Sequence, residues 1–193
     1  MFKMRKLITI LLTLTAWSWV AGGVTLNVPG DFTTIQSGIN AAGDGDTVLV
    51  ADGIYSGSGN KNLDFAGRSI VVMSQNGPEN CVIDCQYSGR GFYFHSGETH
   101  AAAVSGFTIR YAYSAQGGGV HINGASSTIE NCIFWKCYSP ASFGGGIYAS
   151  GGDPLVRNCT FRENNATYGG TMYLLFTSAV VTSCISSDNT SGT

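Results

Sequence analysis

Three stretches of the chain repeat one alternation of small, apolar and polar positions. The first is Gly117-Gly118-Gly119-Val120, then Ile129, then Asn131-Cys132-Ile133-Phe134. The second is Gly144-Gly145-Gly146-Ile147, then Val156, then Asn158-Cys159-Thr160-Phe161. The third is Gly169-Gly170-Thr171-Met172, then Val181, then Ser183-Cys184-Ile185-Ser186. The spacing from the apolar residue after the glycines to the next apolar column, and from there to the cysteine, is the same in each. The interval from Cys132 to Cys159 is slightly longer than that from Cys159 to Cys184, and the excess falls between Phe134 and Gly144, a loop that holds Pro140. A degenerate copy, Gly106-Phe107-Thr108-Ile109, precedes Asn131-Cys132-Ile133-Phe134 by one repeat length.

Inside each repeat the apolar runs are short: Val120-His121-Ile122, Ser127-Thr128-Ile129 and Cys132-Ile133-Phe134. Runs of this length bounded by Gly, Asn or Ser read as strands, not helices. The period is near that of a leucine-rich horseshoe, but the repeated leucines and the helical half are missing. What remains is a coil of short strands stacked on its own copies, a parallel β-solenoid. Strands of successive coils then pair in parallel about 4.8 Å apart. Equivalent residues form internal ladders: Val120, Ile147, Met172; Ile129, Val156, Val181; Cys132, Cys159, Cys184. Asn131 and Asn158 fall at a tight corner, where asparagine tolerates a left-handed conformation. The glycines permit a second bend. From about Val24 there is room for six or seven coils, a rod on the order of 30 Å long.

Upstream, Thr47–Val50, Ile70–Met73, Cys81–Asp84 and Gly91–Phe94 read as further strands. Thr33 to Ala42 carries Ile35, Ile39 and Ala42 at helical spacing, with Asp31 or Thr33 as its cap. Such a helix would close the first coil, as terminal caps of solenoids do. The segment Val28-Pro29-Gly30-Asp31-Phe32-Thr33-Thr34-Ile35-Gln36, with Gly45-Asp46-Thr47-Val48 and Gly53-Ile54-Tyr55, resembles the start of secreted bacterial right-handed parallel β-helix proteins of the pectin-lyase-like superfamily. The Gly-Gly-Gly-Ile and Asn-Cys-Thr-Phe elements resemble the repeat of polymorphic outer membrane proteins. The resemblance implies an all-β right-handed parallel β-helix over residues 23–193. It leaves activity open, because that superfamily holds lyases and hydrolases as well as adhesins and passenger domains.

The compartment is read from the N-terminus. Lys3, Arg5 and Lys6 precede an uncharged apolar run, Leu7 to Val20, and then Ala21, Gly22 and Gly23. This is the layout of a signal peptide over residues 1–22; the other reading is an uncleaved anchor. The run is short for a membrane span, and no second long apolar segment follows it. The expectation is therefore export, to the exterior or to the bacterial outer-membrane surface. Cleavage leaves 7 basic against 12 acidic residues, which gives no footprint for nucleic acid. Charged residues are only 11% of the chain, with 27 Gly and 4 Pro and no G-X-Y period, so neither a disordered tail nor collagen fits. The last strand ends near Ser186 and no capping helix follows it. We therefore expect a solenoid incomplete at that end, whose open edge pairs with further coils or another chain.

Chemistry is sparse. The acids Asp84, Glu98, Glu130, Asp153, Glu163 and Asp188 are scattered, and the slots before the cysteine column hold Glu130, Arg157 and Thr182. This is not the paired-carboxylate arrangement of glycoside hydrolases, and no catalytic residue is assigned. Arg110, Trp135, Arg162 and Ser187 share one column. If it faces outward, Arg110 and Arg162 flank the tryptophan, a candidate contact for a sugar face or a protein partner. His95 and His121 are expected to be satisfied by backbone, no His/Cys spacing suggests zinc, and Gly43-Asp44-Gly45-Asp46 reads as a turn. The six cysteines, 81, 85, 132, 137, 159 and 184, are expected as reduced core residues; stacked pairs lie within disulfide reach. The reading is a non-catalytic, adhesin-like surface β-helix or a piece of one, with cell-surface carbohydrate or a neighbouring protein as partner and no cofactor. The alternative is a lyase or hydrolase of pectin-like acidic polysaccharide, with calcium entering only in the lyase case.

Overall fold

The computed structural model describes residues 22–192. The expected signal segment, residues 1–22, lies outside the described residues except for Gly22. Each turn of chain runs along three directions in sequence, and each direction builds a parallel sheet. Sheet 1 has seven strands: Thr25–Val28, Thr47–Val50, Val71–Ser74, Ala103–Ser105, Thr128–Glu130, Leu155–Arg157 and Val180–Thr182. Sheet 2 has six: Gly53–Ser56, Cys81–Asp84, Thr108–Arg110, Ile133–Trp135, Thr160–Arg162 and Ile185–Ser187. Sheet 3 has five: Leu63–Asp64, Phe92–Phe94, Val120–Asn123, Ile147–Ser150 and Met172–Leu175. A three-stranded ladder of Tyr138–Phe143, Asn165–Tyr168 and Thr190–Ser191 joins sheets 2 and 3 in the last coils. The result is a right-handed parallel β-helix of about seven turns, as the repeat implies.

The ladders follow the sequence register. Val120 pairs with Ile147 and Ile147 with Met172. Ile129, Val156 and Val181 align in sheet 1. Inward residues of sheet 2 make a column of Ile83, Ile109, Phe134 and Phe161, all fully buried. Phe134 and Phe161 stack with centroids 4.7 Å apart and planes 3° from parallel. That distance is the strand spacing itself, so identical rings on adjacent coils meet face to face with no side-chain adjustment.

Two corners turn the chain. Between sheets 1 and 2 a single left-handed residue suffices: Gly106, Asn131, Asn158 and Ser183, with φ of 81°, 52°, 53° and 53°. The cysteine column lies immediately after it, and Cys132 and Cys159 are 1% exposed. All six cysteines are free thiols. The second corner places Tyr111, Lys136, Glu163 and Asp188 at positive φ. There an asparagine ladder, fully buried at Asn164 and partly buried at Asn189, bridges coils and was unforeseen in the sequence. Asn164 Oδ1 accepts from Cys137 N at 2.9 Å while Nδ2 donates to Phe134 O at 3.0 Å. Asn189 repeats this with Asn164 N and Phe161 O, both at 2.9 Å. Each amide thus satisfies one donor and one acceptor of the coil before it. Past this corner the glycine triplets bring backbone against backbone. A Cβ on Gly119 would lie 2.5 Å from Phe134 Cδ1 and 2.6 Å from Gly146 O.

The cap is a helix, α1, over Ile35–Ala41. Its N-cap is Thr34, not Asp31 or Thr33: Ser37 N donates to Thr34 Oγ1 and Thr34 N donates to Ser37 Oγ, both at 3.2 Å. Thr33 has Gln36 three positions on, but the Gln36 side chain is taken by Asp64 and Asn40, which leaves the reciprocal box to Thr34 and Ser37. Asp31 instead accepts from Asn27 N at 2.8 Å and braces the preceding turn. α1 buries Ile35, Gly38 and Ile39. Gly38 has no Cβ to fend off Val28 and Val48, so the helix sits directly on the end of the core.

Inward and outward positions of one strand should differ sharply in mutational cost. Phe161→Ala is expected to lower the unfolding free energy by about 3–5 kcal/mol. Thr160→Ala, outward on the same strand, should change it by less than about 0.5 kcal/mol. Urea denaturation measures both, and equal losses would contradict the inward–outward assignment.

Candidate functional site

Because coils stack in register, an outward position becomes a column running along the rod, and charged residues find partners in their own column. Ser56, Asp84, Arg110, Trp135, Arg162 and Ser187 form such a column on sheet 2. Arg110 and Arg162 thus sit on the coils either side of Trp135. A groove of about 360 Å³ runs past them, lined also by Pro78, Glu79, Val82, Thr108, Ile133 and Thr160.

The side chains of this column differ from a tryptophan held between two free arginines. Arg110 donates from Nε and Nη2 to Asp84 Oδ2 at 3.0 and 2.9 Å, and its guanidinium lies over Tyr111. The cations within cation–π range of Trp135 are Arg162 at 5.1 Å and Lys136 at 5.3 Å. Trp135 Nε1 donates to Glu163 Oε1 at 3.1 Å, and Lys136 Nζ lies 3.3 Å from Glu163 Oε2. The indole hydrogen bond, then Lys136 and Arg162, hold the Glu163 carboxyl below its ordinary range. Lys136 was hidden in the sequence because it occupies the corner: its positive φ swings its side chain back over the column it follows. On sheet 1, Glu130 and Arg157 pair across coils, with Arg157 Nε 2.6 Å from Glu130 Oε2. The polar groups of both columns are thus largely committed to one another.

The outer face of sheet 3 is different. Its column runs Asp64, Tyr93, His121, Tyr148, Tyr173. Ring centroids follow at 4.9, 5.0 and 6.1 Å from Tyr93 to Tyr173. Phe143 and Tyr168 extend the aromatic surface to one side. At the other end Asn62, Asp64, Arg90, Tyr93 and His121 line a groove of about 300 Å³. His95 stacks on Tyr93 at 4.0 Å and reaches Asp64 Oδ2 at 3.1 Å.

Arg90 and His121 were not foreseen as a pair. They come together because Arg90 lies just before one sheet 3 strand and His121 lies in the next. Arg90 Nη1 donates to His121 Nδ1 and Nη2 to Ser114 Oγ at 2.7 Å, while the guanidinium lies over Tyr93. Arginine only donates, so the imidazole is neutral with its proton on Nε2. Burial first, then the charge of Arg90, push the His121 pKa down to about 4. One ring nitrogen of each, His95 Nε2 and His121 Nδ1, is therefore met by a side chain, not by backbone as expected. Parallel pairing on both sides consumes the backbone groups of these strands and leaves outward imidazoles to their own column. Arg90 is half-buried, and among the described residues no carboxylate pairs with it. Asp44 and Asp46 accept from the amides of Ser69, Val24 and Gly43, so that segment is a braced turn. Among the described residues no three His, Cys, Asp or Glu side chains cluster as a metal site. No helix among them is long and apolar enough to cross a membrane.

The groups facing His121 are Arg90, Tyr93, His95 and Tyr148. Its folded pKa lies below the unfolded value of about 6.5. The unfolded chain therefore binds the extra proton, and stability is lost as pH falls from about 6.5 to about 4. The loss from this residue is on the order of 3 kcal/mol. Urea midpoints across that range should flatten in His121→Gln, while an unchanged slope would contradict the assignment.

The model of the family described as "Right handed beta helix region" matches residues 90–193. No curated protein matches the chain, and no solved structure matches it. The matched residues carry the Arg90–His121 pair, the Arg110–Trp135–Arg162 part of the sheet 2 column and the clear repeats; the chain belongs to the right-handed β-helix family.

Proposed function

We propose that this chain is an exported, non-catalytic β-helix whose sheet 3 face binds an acidic saccharide of a cell surface or matrix. The observation that carries the reading is Arg90: a half-buried guanidinium lining a groove, held by a neutral histidine and a serine, and in no salt bridge among the described residues, since the one carboxylate lining that groove, Asp64, is paired with His95. Burying an arginine without a counter-charge is costly, and a ligand carboxylate supplies that charge with the fork geometry guanidinium favours. Asn62 and Asp64 offer hydrogen bonds for hydroxyls, and the tyrosine column continues the surface along the rod. A binding role is favoured over hydrolysis by the acids. Asp64 is held by His95, Asp84 by Arg110, Glu130 by Arg157 and Glu163 by Lys136. Neither groove described above brings two carboxylates together for acid–base work. Export rests on the N-terminal segment.

The test uses polygalacturonate and its fully methyl-esterified form. Binding is expected to the free acid and not to the ester, weakening with salt. Arg90→Ala should reduce affinity at least about tenfold, the equivalent of a charged hydrogen bond. Arg110→Ala and Trp135→Ala should leave affinity within about threefold, because those side chains line a different groove. Absorbance of unsaturated products, followed with and without calcium, should stay flat. Product formation would replace the binding reading with the lyase one. Equal binding of acid and ester would remove Arg90 as the determinant.

A further inference from the structure

Cys132, Cys159 and Cys184 occupy one position on three successive coils. The flanking pairs fix this: Glu130, Arg157 and Thr182 align before them, and Ile133, Thr160 and Ile185 after. In-register parallel strands lie about 4.8 Å apart, inside the range of Cα separations that a disulfide spans. Neither Cys81 nor Cys137 has a cysteine at the same position on an adjacent coil. Cys81 sits between Gly53 and Phe107, and Cys137 between Ala112 and Asn164. Within the column, Cys132 and Cys159 are sealed at 1% exposure, while Cys184 is partly open to solvent. The Cys159 thiol donates to the carbonyls of Arg157 and Ile129, and the Cys184 thiol repeats this one coil on with Thr182 and Val156, so the two side chains run in the same direction.

We propose that Cys159 and Cys184 form a redox-controlled cross-link between the last two described coils, made by exchange with a low-molecular-weight disulfide. The Cys184 thiolate attacks one sulfur of that disulfide, whose S–S bond breaks and releases the first small thiolate. The Cys159 thiolate then attacks Cys184 Sγ, forming the protein disulfide and releasing the second. Two protein thiols are oxidised, one small disulfide is reduced to two thiols, and the two cysteine protons end on those thiols. Exposure sets the order of events, because a small disulfide reaches Cys184 before it reaches either sealed partner. Burial raises the Cys184 pKa, so exchange accelerates as pH rises. The bridge closes a loop of chain and removes freedom from the unfolded state, so it clamps the end of the described rod opposite α1. This inference is independent of the saccharide reading.

The purified chain is equilibrated with graded ratios of oxidised to reduced glutathione, quenched by alkylation and digested with trypsin. Cleavage after Arg157 and Arg162 places the two cysteines on separate peptides. The expected product joins peptide 158–162 to the peptide that begins at Glu163, with Cys81, Cys85, Cys132 and Cys137 alkylated, and the bridged chain melts at a higher temperature. Cys184→Ser should leave Cys159 alkylated, and so should Cys159→Ser leave Cys184 unbridged. The same treatment in urea should scatter the pairings, which shows that the fold directs them. A Cys132–Cys159 bridge, a stable glutathione adduct on Cys184, or no loss of alkylatable thiol would each overturn the proposal.

Discussion

Every feature of this molecule depends on the parallel backbone ladder between one coil and the next. A short strand cannot satisfy its own amides and carbonyls; it must meet another strand at the same height on both sides. The chain therefore has to return to its starting direction at nearly the same length each time. Where it takes a longer path, as between Phe134 and Gly144, the excess is expelled as the irregular strand Tyr138–Phe143. The ladder on either side keeps its register.

That constraint turns one-dimensional periodicity into columns. Inside, it places Phe134 on Phe161 and Cys132 beneath Cys159, and the core is a set of parallel stacks in place of interdigitated layers. Outside, it makes charge pairing a matter of sequence distance. Asp84 and Arg110 are separated by one coil of chain, as are Glu130 and Arg157, so each pair meets across adjacent coils. A column whose charges pair in this way is electrically quiet. The groove beside the sheet 3 column is not, since its cation, Arg90, lies over a tyrosine ring and against a neutral imidazole.

The same logic shows why the corners matter as much as the strands. A single left-handed residue makes the first corner, which glycine and asparagine meet at little cost and which Ser183 also adopts. The second corner forces Tyr111, Lys136, Glu163 and Asp188 into that region. At Glu163 and Asp188 the compensation is an asparagine, Asn164 or Asn189, that ties the corner to the carbonyl and amide of the preceding coil; Tyr111 and Lys136 are followed by the buried Ala112 and Cys137. As a by-product, Lys136 and Glu163 are turned back onto Trp135, and the indole is enclosed by charges that belong to the corner.

The sequence by itself determined the architecture: the repeated glycines, asparagines and apolar columns specify a coil of fixed length, and a coil of fixed length can pair only with its copies. It also determined which residues share a column, including Arg110, Trp135 and Arg162, because register follows from spacing alone. It did not reveal Thr34 as the helix cap, the role of Asn164, or the meeting of Arg90 with His121. Those depend on side-chain direction at corners and strand ends, which spacing does not encode. Which outward column is electrically satisfied was decided only in three dimensions, since it depends on where a guanidinium comes to rest and not on the order of residues along the chain.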